Sequence, residues 1–258
     1  MIRLIQNELI KAARLTKIPL LFCLITGIEI LFVLQSRWKG TNFSAIDLTG
    51  QSLAFQVLNG STELMILFMA VLAADLIADE IRSGTLTLTL VRPVSRIELL
   101  NAKVASFFLL VAVGLGYLVI SSYIVGTLAL GWGEQFVLEG VAYSSGQGIW
   151  VTMRSFLLML LPNLGFGMIV IFIGIVASNL GVTIGLSLGL MALSPFVEGI
   201  RQVKDYFIVY QMRYFHLHGL HDPFSAESFK GVLSTIVTIG FFYLGSVIVL
   251  KKKDLMGK

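Results

Sequence analysis

Six stretches of almost unbroken apolar residues, at 18–35, 64–81, 104–128, 155–177, 180–197 and 232–250, constrain this chain more than any motif in it. Each approaches or exceeds the ~18 residues that carry a helix across a hydrocarbon layer, and a soluble domain rarely holds one. Only 13% of the residues are charged, about half the ~25% usual in soluble domains. The pattern predicts an all-α integral membrane protein: one transmembrane domain, 1–258, of six transmembrane helices. The first run follows Arg3, Lys11, Arg14 and Lys17, contains Glu29 and lacks an A-x-A site, so it reads as a retained anchor rather than a cleaved signal. Cys23 is the single cysteine, which leaves no intrachain disulfide to form.

Lysine and arginine set the orientation, because segments rich in them stay in the cytoplasm during insertion. Six spans put both termini on one side. That side carries Arg3, Lys11, Arg14, Lys17, Arg82, Arg92, Arg96, Lys103, Lys251, Lys252, Lys253 and Lys258, twelve of the nineteen basic residues. It is expected to be the cytoplasm, with the protein multi-pass in the plasma membrane. On the other side Arg37, Lys39 and Arg154 precede a mixed cluster in the connection 198–231, where Arg201, Lys204, Arg213 and Lys230 are matched by Glu198, Asp205, Asp222 and Glu227.

Two segments of the cytoplasmic side do more than tether. On a helical wheel Ile2, Ile5, Leu9, Ala12, Ala13 and Thr16 gather opposite Arg3, Asn7, Lys11, Arg14 and Lys17, which predicts an N-terminal amphipathic surface helix, 1–17, lying among lipid headgroups. Residues 78–103 carry seven charges between two apolar runs. Just before and within them, Asp75, Asp79, Glu80 and Arg82 form a polar knob at the end of span two. Ser95 and Glu98 spell an S-x-x-E capping box after Pro93, so a helix starts at Arg96 and runs through Lys103 into span three. Residues 85–90 alternate threonine and leucine as a strand would. No second strand is near to pair with them, and a short helix is expected there.

Glu80, Gly84 and Thr85, followed by Arg92-Pro93-Val94-Ser95-Arg96 and Lys103, resemble the E-x-x-x-G-T…R-P-V-S-R…K signature of the permeases of type 2 ABC exporters. The resemblance extends to the six spans, the basic surface helix, the long outer connection and the basic tail. It implies that 79–103 is a cytoplasmic coupling region whose helix, between spans two and three, seats in an ATP-binding subunit. Glu80, Arg82, Gly84, Thr85, Arg92, Pro93, Ser95, Arg96 and Glu98 are then the ATPase-coupling residues. The chain has no G-x-x-x-x-G-K-[ST] phosphate loop, so no cofactor is expected in it. ATP and magnesium belong to the partner ATPase, present in two copies, alongside a second permease chain, identical or related. The function implied is that of a non-enzymatic, membrane-spanning exporter subunit.

Gly181, Gly185 and Gly189 recur at four-residue spacing in span five and bare one helix face, as a close helix–helix seam requires. Packing within the chain and pairing of two chains both meet that need; the resemblance, in which spans two and five line the two-fold interface, favours the dimer interface. Glu29 is the candidate transport-path residue, because an ionisable group in a span is costly; Glu63 opens span two. Pro162, Asn163, Gly165 and Gly167 are expected to bend span four. His216, His218 and His221 share the outer connection, but their spacing fits no metal site, and Phe207, Tyr210, Tyr214 and Phe215 beside them predict a helix resting at the outer interface. No nucleic-acid partner is expected. A secondary transporter and a scaffold for a membrane assembly are the competing classes. The first usually shows repeated halves, which are not evident here; the second is open on residues alone. Cargo is expected to be a peptide, lipid or hydrophobic compound.

Overall fold

The computed structural model describes residues 1–38, 48–84, 95–138 and 141–253. Its elements are almost all helical. The first, α1 (Ile2–Ala13), is followed after a three-residue break by α2 (Lys17–Trp38), which tolerates Pro19 in its first turn, where no intrahelical donor is lost. Then come α3 (Gly50–Asn59), α4 (Thr62–Ala73), a π-helical turn (Ala74–Asp79) and α5 (Glu80–Arg82). A 35-residue helix, α6 (Arg96–Leu130), leads through a short hairpin of β1 (Phe136–Leu138) and β2 (Val141–Tyr143) to the 33-residue α7 (Ser145–Ala177). The chain closes with α8 (Leu180–Ala192), α9 (Ser194–Glu198), α10 (Ile208–His221) and α11 (Ala226–Lys252). In the hairpin Phe136 pairs with Tyr143 and Leu138 with Val141, antiparallel.

Among the described residues, five helical stretches are long and apolar enough to cross a membrane: α2, α6, α7, α8 with α9, and α11. The remaining run, 64–81, is helical too. It is divided, because the π turn interrupts the path from α4 to α5. The path also begins earlier than its apolar residues suggest. Gly50 sits against the last turn of α6, where an added Cβ would lie 2.7 Å from the Gly131 carbonyl and 2.9 Å from Thr127, so only glycine lets α3 approach α6 this closely. From there α3, α4 and α5 descend antiparallel to α6, with Phe68 against Gly114 and Glu80 beside Lys103.

At ~1.5 Å rise per residue α6 and α7 each span roughly 50 Å, well beyond the ~30 Å of a hydrocarbon core. Their excess projects at the end remote from the termini, where α3, the hairpin and α10 pack on them. The first helix and the last turn of α11 sit at the opposite end, since Glu8 and Leu250 each meet the first turns of α6. The core between is apolar and close-packed, with Phe68, Phe107, Phe166, Met65, Met69 and Leu72 essentially inaccessible. Gly165 and Gly167 in α7 receive Ile208 and Phe107, whose side chains would lie 2.8 and 2.9 Å from an added Cβ.

On α1, Glu8 and Ala12 are buried against the bundle and Leu4, Ile5, Leu9 and Leu15 are half-buried, while Ile2 is 74% exposed. One expectation needs correcting: α10 does not merely rest at an interface, because Val209, Met212, Phe215, His216 and Gly219 are buried against the bundle, chiefly on α7.

Candidate functional site

The end of the bundle that carries both termini is organised by four charged side chains from three separate elements. Lys103 projects from the second turn of α6 into a place where its ammonium is almost wholly buried. It donates to Glu8 Oε2 of α1 at 2.8 Å, to Glu80 Oε2 of α5 at 2.7 Å and to the Leu76 carbonyl of the π turn at 2.8 Å. Those are the three bonds an ammonium can make. Lys11 closes the ring from the solvent side, 3.1 Å from Glu8 Oε1 and 3.3 Å from Glu80 Oε1.

Electrostatics agree with the geometry. Burial alone would push the Glu8 carboxyl up, but Lys103 and then Lys11 outweigh it and hold the group below its ordinary value of 4.5. For Lys11, burial works downward and is overcome by Glu80 and Glu8, which hold the ammonium above 10.5. A buried cation satisfied by two carboxylates and a carbonyl stays put, because removing any partner strands a charge.

Around this ring the helix ends are fastened. Lys17, opening α2, reaches Asp75 of the π turn at 2.6 Å. Ser95 and Glu98 form the expected capping box at the start of α6: Ser95 Oγ accepts from the Glu98 amide at 3.2 Å, and Glu98 Oε2 accepts from the Ser95 amide at 2.9 Å. Arg96 turns inward to the C-terminal carbonyls of α11, reaching those of Leu250, Lys251 and Lys253 at 3.0–3.3 Å. Lys253 in turn caps α7 through the Ile175 carbonyl at 2.7 Å and the Ser178 hydroxyl. Asn101 accepts from the Tyr243 hydroxyl at 2.7 Å.

The sequence-predicted coupling residues therefore divide. Glu80 and Arg96 face into the protein, one in the ring and the other on α11. Arg82 and Glu98 face solvent; Arg82, 60% exposed, contacts Asp79 one turn back at 2.9 Å. Gly84 has φ +73°, a left-handed conformation that a side chain would strain, and it follows α5. Thr85, Arg92, Pro93 and the short helix expected at 85–90 lie outside the described residues. Glu8, the pairing of Lys17 with Asp75 and the capping of α11 escaped the sequence reading. Glu8 left one signal, a carboxylate among Ile5, Leu9 and Ala12 on a face otherwise read as apolar.

Elsewhere, Gly185 and Gly189 on α8 have open space where a Cβ would stand, and Gly181 meets only Asn179 at 3.4 Å. The opposite face of α8 buries Thr183 and Ser187 against α4 and the π turn. Glu29 is buried within the protein between α2 and α6, where one oxygen accepts from Ser121 at 2.7 Å and from Ser122 at 3.0 Å. Glu63 pairs with Arg213 at 2.6 Å, and Arg213 also meets Glu198 at 2.7 Å. Lys230 meets Asp205 at 2.8 Å, so the mixed cluster of the connection does pair internally. His216 is fully buried with its ring edge toward Phe55, and among the described residues no group of three His, Cys, Asp or Glu side chains is arranged to hold a metal ion.

Comparison with known proteins finds a match to the family model described as ABC-2 family transporter protein over residues 4–194, from α1 to the first residue of α9. No curated protein matches the chain.

Proposed function

The chain belongs to the ABC-2 family of transporter proteins, and from that premise we propose that it is the membrane-spanning subunit of an ATP-driven exporter. As a member of that family it is a multi-pass membrane protein that works with an ABC ATP-binding subunit. In the proposal the end bearing the charged ring faces the cytoplasm, both termini included. Residues 79–103 couple the chain to the ATPase, two copies of which serve two permease chains. The first helix lies beside this coupling region at the membrane surface. Hydrolysis takes place on the partner, and this chain performs no catalysis of its own.

The observation that carries the reading is the Glu8–Lys103–Glu80–Lys11 ring. Glu80 precedes the segment 85–94 and Lys103 follows it, so the ring joins the two feet of that segment to each other and to α1. A partner pressing on such a segment moves α4–α5 and α6 as one body, which is what transmitting a hydrolysis step into the membrane requires.

The open glycine face of α8 supports a second permease chain there, because among the described residues nothing stands within 4 Å of a Cβ built at Gly185 or Gly189. The buried setting of Glu29, one of whose oxygens accepts from two serines of α6, supports a role in seating α2 more than one on a path between protomers. Cargo is proposed to be a peptide, lipid or hydrophobic compound that enters between the helices from the bilayer. The test is co-purification with an ABC ATPase and ATP-dependent transport in reconstituted vesicles; a chain that transports equally well with a hydrolysis-dead partner is not driven in this way.

A further inference from the structure

At the end remote from the termini, a cavity of about 360 Å³ opens between the β-hairpin, α7 and α10, within the ~300–1,000 Å³ typical of small-molecule sites. Its walls are largely apolar, with Val141 of β2, Trp150 of α7 and Leu217 and Leu220 of α10 among them, and Tyr143 lines it as well. Two basic side chains also line it, His221 at the end of α10 and Arg154, a single helical turn below Trp150 on the same face.

Arg154 is half-buried, and its guanidinium donates to the Gly219 carbonyl of α10 at 2.7 Å. Among the described residues it has no carboxylate partner, in contrast to Arg213 and Lys230 in the same half of the protein, each of which is paired. A guanidinium has five donors in a planar fork suited to carboxylate or phosphate. Here one is used, on a neutral carbonyl.

The depth identifies the medium. From Ala177, at the capped terminal end of α7, to Arg154 is ~35 Å along the helix, just past a ~30 Å hydrocarbon core. Arg154 therefore stands at headgroup level of the far leaflet, with Trp150, 66% exposed, in the interfacial belt that tryptophan favours.

We propose that this cavity binds a single-chain anionic amphiphile from the far leaflet, its carboxylate or phosphate on Arg154 and its alkyl chain along Trp150, Leu217 and Leu220. Charge selects the head, since an ammonium or an uncharged head leaves the fork of Arg154 unanswered. The apolar walls select the chain, since a bare anion gains nothing from them.

The experiment uses the full chain in neutral maltoside detergent, with Trp38→Phe and Trp132→Phe leaving Trp150 as the single tryptophan. The probe is ω-bromolauric acid, whose bromine quenches a tryptophan in contact. Saturable quenching is expected, competed by dodecyl phosphate and untouched by inorganic phosphate at the same concentration. Arg154→Gln weakens it about tenfold through the lost charge-assisted bonds. Because Arg154 also holds α10, a second variant leaves that bond alone: Val141→Glu, on the exposed hairpin wall, sets a like charge at the mouth and weakens the anion comparably, while uncharged ω-bromododecanol binds as before. Equal quenching by the acid and the alcohol, or an unmoved curve in Val141→Glu, overturns the proposal. Full competition by inorganic phosphate overturns the amphiphile and leaves a simple anion site.

Discussion

Lys103 Nζ lies 2.7 Å from Glu80 Oε2, although the two residues stand at opposite feet of a charged segment and on different crossings. The distance between the feet is therefore set by an ion pair inside the protein rather than by the segment itself. Glu8 makes the pair a three-element junction, at 2.8 Å from the same ammonium.

Replacing Lys103 by Met removes the buried cation between Glu8 and Glu80 and leaves them only Lys11 at the solvent side. Breaking one side of a buried ion pair costs roughly 3–5 kcal/mol. Thermal unfolding in detergent is expected to show that loss for Lys103→Met, and a partial recovery when Glu8→Gln is added, because one of the stranded charges has gone. A Lys103→Met protein as stable as the parent would show the ring to be energetically idle.

The docking of α1 is expected to depend on pH with two limits. Glu8 titrates below 4.5 in the folded protein, so its contribution is present above 4.5 and fades as pH falls through the lowered value. Lys11 titrates above 10.5, so its contribution is complete below 10.5 and fades as pH rises through the raised value. A nitroxide at the exposed Ile10 should be immobile between these limits and gain mobility at either extreme, first on the acid side for Glu8. Mobility that rises near neutral pH would contradict the assignment.

Orientation is testable with single cysteines on a Cys23→Ser background. Ser83, at the ring end, should resist a membrane-impermeant thiol reagent applied from outside intact cells, while Ser225, at the start of α11 on the far side, should react. Outside labelling at Ser83 reverses the topology and removes the ATPase from the ring.

What could be read from the sequence follows from the range of the forces involved. Helix positions come from runs of apolar residues and local caps, so α2, α8 and α11 and the start of α6 at Ser95 emerge from composition and spacing. The division of the second crossing does not, since a π turn at Ala74–Asp79 changes hydrogen bonding without changing hydropathy. Glu80 and Lys103 were legible as members of a signature, but their partnership was not, because it joins residues 23 apart in the chain and no periodicity reveals such a contact. Arg96 reads as a charge for a partner and is used instead on the carbonyls of α11, an acceptor that side-chain sequence never displays.

Gly185→Leu separates assembly from folding. An added Cβ at Gly185 meets nothing within 4 Å, so the chain itself should tolerate the larger side chain with an unchanged melting temperature. A seam between two chains would not, as bulk there holds the backbones apart. Cross-linking or light scattering is expected to show loss of the permease pair. A dimer that survives Gly185→Leu places the seam elsewhere.

Glu80 and Arg82, two residues apart, should fail in different ways. Arg82 is exposed, and its contact with Asp79 lies within its own helical path, an arrangement worth at most ~0.5 kcal/mol. Arg82→Ala should leave folding, insertion and pairing intact; if the exposed rim is read by an ATPase, less of that subunit co-purifies and transport falls at matched expression. Glu80→Ala should also lower stability, because it removes an acceptor from the buried Lys103. A double variant alone would confuse the two, so the decisive comparison is Arg82→Ala against Glu80→Gln, which keeps a hydrogen-bond acceptor for Lys103 while removing the charge. Transport lost in Arg82→Ala at full stability supports an exposed docking contact. Transport lost only where stability is lost assigns the charged end to holding the bundle together, and docking must then rest on residues 85–94.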